Sequence, residues 1–115
     1  MLDRPQFGFC RPFDPLAYTC QVGLAVVHFT AKRLGQAADL FLRVLAEHPS
    51  ALWLLRSLIP ALVEAERLDE ARQYMTRYRH EYPHLTLRAV RDSMPYRVEI
   101  LNRYENALRT LGMPE

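Results

Sequence analysis

The sequence predicts an all-α fold of stacked helix pairs, and three observations predict it. Pro15, Pro49 and Pro83 stand 34 residues apart. Other positions agree at the same offset without a gap: Ala17 with Ala51, Leu24 with Leu58, Ala31 with Ala65, Arg33-Leu34 with Arg67-Leu68, Ala37 with Ala71, Phe41 with Met75, and Arg43 with Arg77. Within each period the apolar residues recur at spacings of three and four, the mark of an amphipathic helix. A unit of this length is one helix pair that cannot bury its apolar face alone, so successive pairs must stack into a solenoid.

Each element follows from local chemistry. Residues 1–14 hold Pro5, Gly8 and Pro12 and read as an extended N-terminal segment. Asp14-Pro15 is a good helix start, because Asp accepts from free backbone N–H groups and Pro fits the first turn. The first helix is expected over 15–31, with Tyr18, Val22, Ala25 and Phe29 on one face, followed by a turn over 32–35. The second, over 36–47, turns Ala37, Leu40, Phe41, Val44 and Leu45 inward and stops before Pro49. Ser50 is the expected cap of a third helix over 51–65, and Asp69 that of a fourth ending before Pro83. Pro60 removes a donor inside the third helix, which predicts a bend there. A short helix near 86–93 and a last one near 97–111 complete the chain, the last with Val98, Leu101, Tyr104, Leu108 and Leu111 as its buried stripe. The units are thus 15–49 and 50–83, followed by capping helices over 84–115.

Composition narrows the function. The 115 residues suit one domain, and a formal net charge of +2 gives no strong pull toward nucleic acid or membrane. Fourteen of the 15 basic residues are arginine, which favours bidentate pairing with the 13 acidic residues. Cys10 and Cys20 are too few for a disulfide scaffold and are expected to be reduced thiols. No signal-like apolar run opens the chain, and no stretch is long enough to span a bilayer, so a cytoplasmic location is expected.

With its 34-residue helix-pair period, the chain resembles the tetratricopeptide repeat (TPR) family. Ala37 and Ala71 match that family's small second-helix position, Leu24 and Leu58 its large first-helix position, Phe41 and Met75 its large second-helix position, and Pro49 and Pro83 its closing proline. The early first-helix aromatic is replaced by Gln21 and Leu55, the small glycine site by Ala25 and Ile59, and the second small site by Val44 and Tyr78. The segments 12–18, 94–97 and 111–115 look like the C-terminal TPR region of bacterial regulators that carry a class III nucleotide cyclase or a winged-helix DNA-binding domain. Neither domain is present, so neither activity transfers. The resemblance implies a right-handed α-solenoid of two TPR helix pairs with C-terminal capping helices.

It also implies a protein-binding groove lined by the first helix of each pair: Thr19, Val22, Val26, Phe29 and Thr30, then Trp53, Arg56, Pro60, Val63 and Glu64. Trp53 could instead fill the core. Only Arg56 is cationic among the places where some TPR proteins clamp a carboxylate, so an apolar helix or an extended segment is the expected ligand. Two pairs are few for such an array, and its N-terminal face is the less protected one: Phe7, Phe9 and Phe13 could fold back over the first helix pair, or an earlier repeat could cover it, and otherwise self-association as a homodimer is expected, with Phe7, Phe9, Phe13, Tyr74, Tyr78 and Tyr82 as candidate contacts. The alternative is a regulatory tail that dimerises or senses within a cyclase-like or transcriptional regulator. Tyr74, Tyr78 and Tyr82 beside Arg72, Arg77, Arg79 and His80 could stack on nucleic acid, but a tyrosine stripe more commonly packs on a helix. No phosphate loop, triad or zinc motif appears, although His80 and His84 have zinc-like spacing around Pro83. Glu64, Glu66, Asp69 and Glu70 read as solvated charge and capping, and His28 as a satisfied core or edge group. No catalysis, cofactor or metal is expected.

Overall fold

The computed structural model describes residues 17–115. Among these the regular structure is entirely helical: α1 (Ala17–Thr30), α2 (Leu34–Glu47), a 3-10 turn (Leu52–Leu54), α3 (Leu55–Glu64), α4 (Leu68–Glu81), α5 (Leu87–Asp92) and α6 (Val98–Thr110).

The 34-residue period is visible in the backbone. At the end of α1, Lys32 N–H donates to Phe29 O (3.1 Å) and Arg33 N–H to His28 O (2.8 Å). At the end of α3, Glu66 N–H donates to Val63 O (3.0 Å) and Arg67 N–H to Leu62 O (2.9 Å). This paired pattern satisfies the last helical carbonyls and needs a left-handed residue at its centre. Lys32 and Glu66 supply it, with φ of 66° and 63°. Neither is glycine, so both turns carry the steric cost of a Cβ in that region. The same pattern closes α6, where Gly112 (φ 98°) fills the position at little cost. The second helices also end alike: His48 N–H donates to Val44 O and Tyr82 N–H to Tyr78 O, both at 2.9 Å.

Several expected boundaries move. The first turn is shorter than 32–35, because α2 begins at Leu34 and Gly35 lies inside it. Ser50 does not cap a helix; the segment enters α3 through the 3-10 turn, and no side chain caps either piece. Asp69 is likewise not a cap. Arg67 occupies that place, and Asp69 and Glu70 sit in the first turn of α4, where their charge favours the positive helix end. The helix continues through Pro60, which is buried within it. Thr86 does cap α5, its hydroxyl accepting from Ala89 N–H at 3.2 Å.

Helix α3 is the centre of the packing, in contact with α2, α4 and α6. Leu54 of the 3-10 turn and Leu55, Leu58, Ile59 and Leu62 of α3 are buried together with Phe41 and Val44 of α2. Ala37 and Ala71 have no exposed surface. Arg67 clasps the two helix pairs, pairing with Asp39 of α2 (2.8 Å) and, bidentately, with Glu70 (2.7 and 3.1 Å). These contacts hold its guanidinium in the charged form and pull the Glu70 carboxyl below its usual range. The chain end returns to α5, where Leu87 N–H donates to Pro114 O at 2.9 Å, and Met113 is buried beneath it.

Candidate functional site

The face expected to be an open groove is half filled by the chain itself. Helix α6 lies on α3 and reaches across to α1. Tyr104 meets Phe29 edge-on, with ring centroids 5.0 Å apart at 70°. The Arg103 guanidinium stacks over the same Phe29 ring at 3.8 Å and grips Glu64 through Nε and Nη2, at 2.9 and 2.6 Å. A planar fork on a carboxylate, backed by an aromatic face, is a geometry that arginine provides and lysine does not. The Tyr104 hydroxyl approaches the buried Ser57 without a well-formed hydrogen bond, and burial pushes its pKa up.

This arrangement corrects two expectations. Phe29 has no exposed surface and cannot meet a groove ligand; it is the floor on which α6 sits. Glu64 is not a solvated turn carboxylate but the anchor of that helix. Arg103 and Tyr104 are the residues that sequence reasoning missed in these roles. Tyr104 was legible as apolar stripe, but its landing surface on α1 has no local signature.

The remaining groove residues lie away from α6's anchor or at the rim. Thr19 is exposed, and Val22, Val26 and Val63 are half-buried. Trp53 is 38% exposed and so is not a core residue. Its ring lies 6.4 Å from that of Tyr18, which in turn rests 4.7 Å from His48. Arg56 is half-buried, its Cζ 5.8 Å from the Trp53 ring.

The tyrosine stripe of α4 faces three environments. Tyr74 is half-buried and Tyr82 is exposed. Tyr78 is buried within the chain, which removes it from the candidate oligomer contacts. Tyr78 and Tyr82 pack edge to face at 5.5 Å and turn toward α5. There they share a cleft of about 170 Å³ with Trp53, Arg56, Leu85, Ala89, Val90 and Ser93. Arg56 Nη1 donates to Ser93 Oγ at 3.0 Å, and Ser93 donates in turn to Val90 O at 2.6 Å.

A second, charged crevice of about 580 Å³ lies between α5, α6 and the chain end. Its groups largely neutralise one another: Arg91 and Arg109 both face Glu105 at 3.6 Å, and Arg109 pairs with Glu115 at 2.8 Å. His28 Nδ1 accepts from Arg33 Nε at 2.9 Å, while His48, His80 and His84 are exposed. Among the described residues, no three His, Cys, Asp or Glu side chains converge on a metal-sized site, and no helix is long and apolar enough to cross a membrane. Phe7, Phe9, Phe13 and the Asp14 cap lie outside the described residues.

No family model matches the chain, nor does any curated protein or solved structure.

Proposed function

We propose that this chain is a non-catalytic, TPR-like interaction module that assembles into a homodimer through the outer face of α1. One observation carries this reading. Leu24 and Leu58 occupy the same place in successive periods, yet Leu58 is fully buried and Leu24 is 47% exposed. Val27, one turn on, is 54% exposed, whereas its counterpart Ala61 has no exposed surface. Helix α1 has no Asp, Glu, Lys or Arg, so this outer face is apolar without a charged rim of its own. A helix with apolar residues on every side is ordinarily covered, and an exposed apolar patch favours association. In this reading the two pairs stack as a right-handed solenoid, with α5 and α6 as its cap.

The groups that could look reactive are occupied structurally. Ser57 is in the core, Glu64 holds Arg103, and Ser93 holds Arg56. With Phe29 under α6, partner capture falls to the α1 face and not to the middle of the groove.

Light scattering across a concentration series tests the proposal. A dimer is expected for the natural sequence and a monomer of unchanged helicity for the Leu24→Lys, Val27→Lys double variant. A clean monomer of the natural sequence at high concentration would sink it. The same register supports a second reading: α3 is covered by the preceding helix α2, so α1 would be covered by an upstream helix in a longer regulator. That reading expects the monomer and predicts that a longer chain protects Leu24 and Val27 from solvent.

A further inference from the structure

Four arginines are half-buried: Arg56, Arg67, Arg91 and Arg103. Three of them have carboxylate partners, Asp39 and Glu70 for Arg67, Glu105 for Arg91, and Glu64 for Arg103. Among the described residues, Arg56 has none. Its guanidinium touches the Ser93 hydroxyl and the Trp53 ring, and its Nε–H is buried without an acceptor. Withdrawing a charge from water is costly unless an opposite charge or a full set of hydrogen bonds compensates it. A guanidinium held in place but left without an anion is therefore prepared to accept one.

The rest of the cleft defines what else the anion must carry. Trp53, Tyr78, Tyr82, Leu85 and Val90 make its walls largely apolar, and its volume is about 170 Å³. An enclosed apolar cavity of roughly 150 Å³ holds one benzene ring, so a single ring matches this more open cleft in size. A phosphate or sulfate would leave the aromatic walls unused, and a nucleotide would not fit. Tyr78 does not compete for the cation, because burial pushes its pKa up to about 12 and keeps the phenol neutral at physiological pH.

We propose that the cleft between the 3-10 turn, α3, α4 and α5 binds a small apolar carboxylic acid, its carboxylate on the Arg56 guanidinium and its ring or branched chain against Trp53, Tyr78 and Tyr82. Ser93 acts as a positioning residue, holding Nη1 so that the remaining donors are free for the anion. The site does not depend on assembly through α1, which lies on a different helix.

Trp53 is the sole tryptophan of the chain and lines this cleft, so its fluorescence responds to an occupant there. Phenylacetate is the probe, with phenylacetamide as a neutral control of nearly the same shape. Saturable change in Trp53 emission is expected with phenylacetate, together with movement of the Arg56 Nε–H resonance in a nitrogen-edited NMR spectrum. The amide should bind at least tenfold more weakly. Arg56→Met should lose the probe by a similar factor, and Arg56→Lys, which keeps the charge, should bind between the two. Circular dichroism establishes that each variant is folded. If Arg56→Met fails to fold, the comparison of acid with amide on the natural protein decides alone. Equal binding of acid and amide, or no saturable response up to the solubility of the probe, would overturn the proposal.

Discussion

Helices α1 and α3 are the same element in successive periods, and their surroundings differ. Helix α3 is enclosed by α2, α4 and α6. Helix α1 packs on α2, meets the middle of α6 at Phe29, and leaves Leu24 and Val27 in solvent. The same leucine at the same register is core in one and surface in the other. In a periodic sequence, a residue's burial is set by the helices packed around it and not by its own unit. Among the described residues, the exposed apolar side chains of α1 have no counterpart on α3, and the returning chain end packs against α5 instead.

The largest difference between the two helices is expected at Leu58 and Leu24. Leu58→Ala deletes a fully buried side chain of α3 and should cost about 2–5 kcal/mol. Leu24→Ala, at the equivalent place, should stay within about 0.5 kcal/mol at concentrations where the chain is monomeric. Urea unfolding of both variants decides it, and equal losses would mean that Leu24 is covered in solution. Phe29→Ala should fall in the upper range, about 3–5 kcal/mol, because it removes the one α1 surface that α6 uses.

Next in size is the clamp that fixes α6. Glu64→Gln keeps the shape of the side chain but loses the charge opposite Arg103, in a partly exposed pair, and should cost about 1–3 kcal/mol. Hydrogen exchange should show α6 opening before α2 or α3 in this variant. Uniform loss of protection would mean instead that α6 has no independent opening.

The two turns sharpen the equivalence of the pairs. Lys32→Gly and Glu66→Gly each exchange left-handed strain for the greater freedom of an unfolded glycine, a net gain of about 0.5 kcal/mol. The gain should be similar at both sites, as measured by thermal melting. At Gly112 the reverse change, Gly112→Ala, should destabilise, since φ there is 98°.

The smallest effect is with pH. Glu70 and Glu115 are held below the usual carboxylate range by hydrogen bonds from Arg67 and Arg109. A carboxyl lowered in the folded state binds its proton less readily there than in the unfolded chain. The stabilisation is therefore complete above the ordinary carboxylate pKa and declines as pH falls through the lowered folded value. Both groups are exposed to solvent and salt, so the decline should be shallow and weaker still at high ionic strength. Melting temperatures of the natural protein and Glu70→Gln, compared from pH 7 to pH 3, should converge at the acid end.

The local and periodic features of this protein can be read from its residues alone. Prolines, small residues and apolar spacing are read over a few residues, and they specify helices, turns and a 34-residue recurrence because backbone chemistry is local. The left-handed turn residues escaped that reading, since Lys32 and Glu66 are not the glycines that usually announce such a turn. Which copies of a repeated residue are buried follows from the packing of the helices. That packing set Tyr104 on Phe29, gave Glu64 to Arg103, and left Arg56 with a hydroxyl and a ring where the other half-buried arginines found carboxylates. Those outcomes depend on contacts between residues far apart in the chain, and a charge without its partner is a property of the packed arrangement that no single segment encodes.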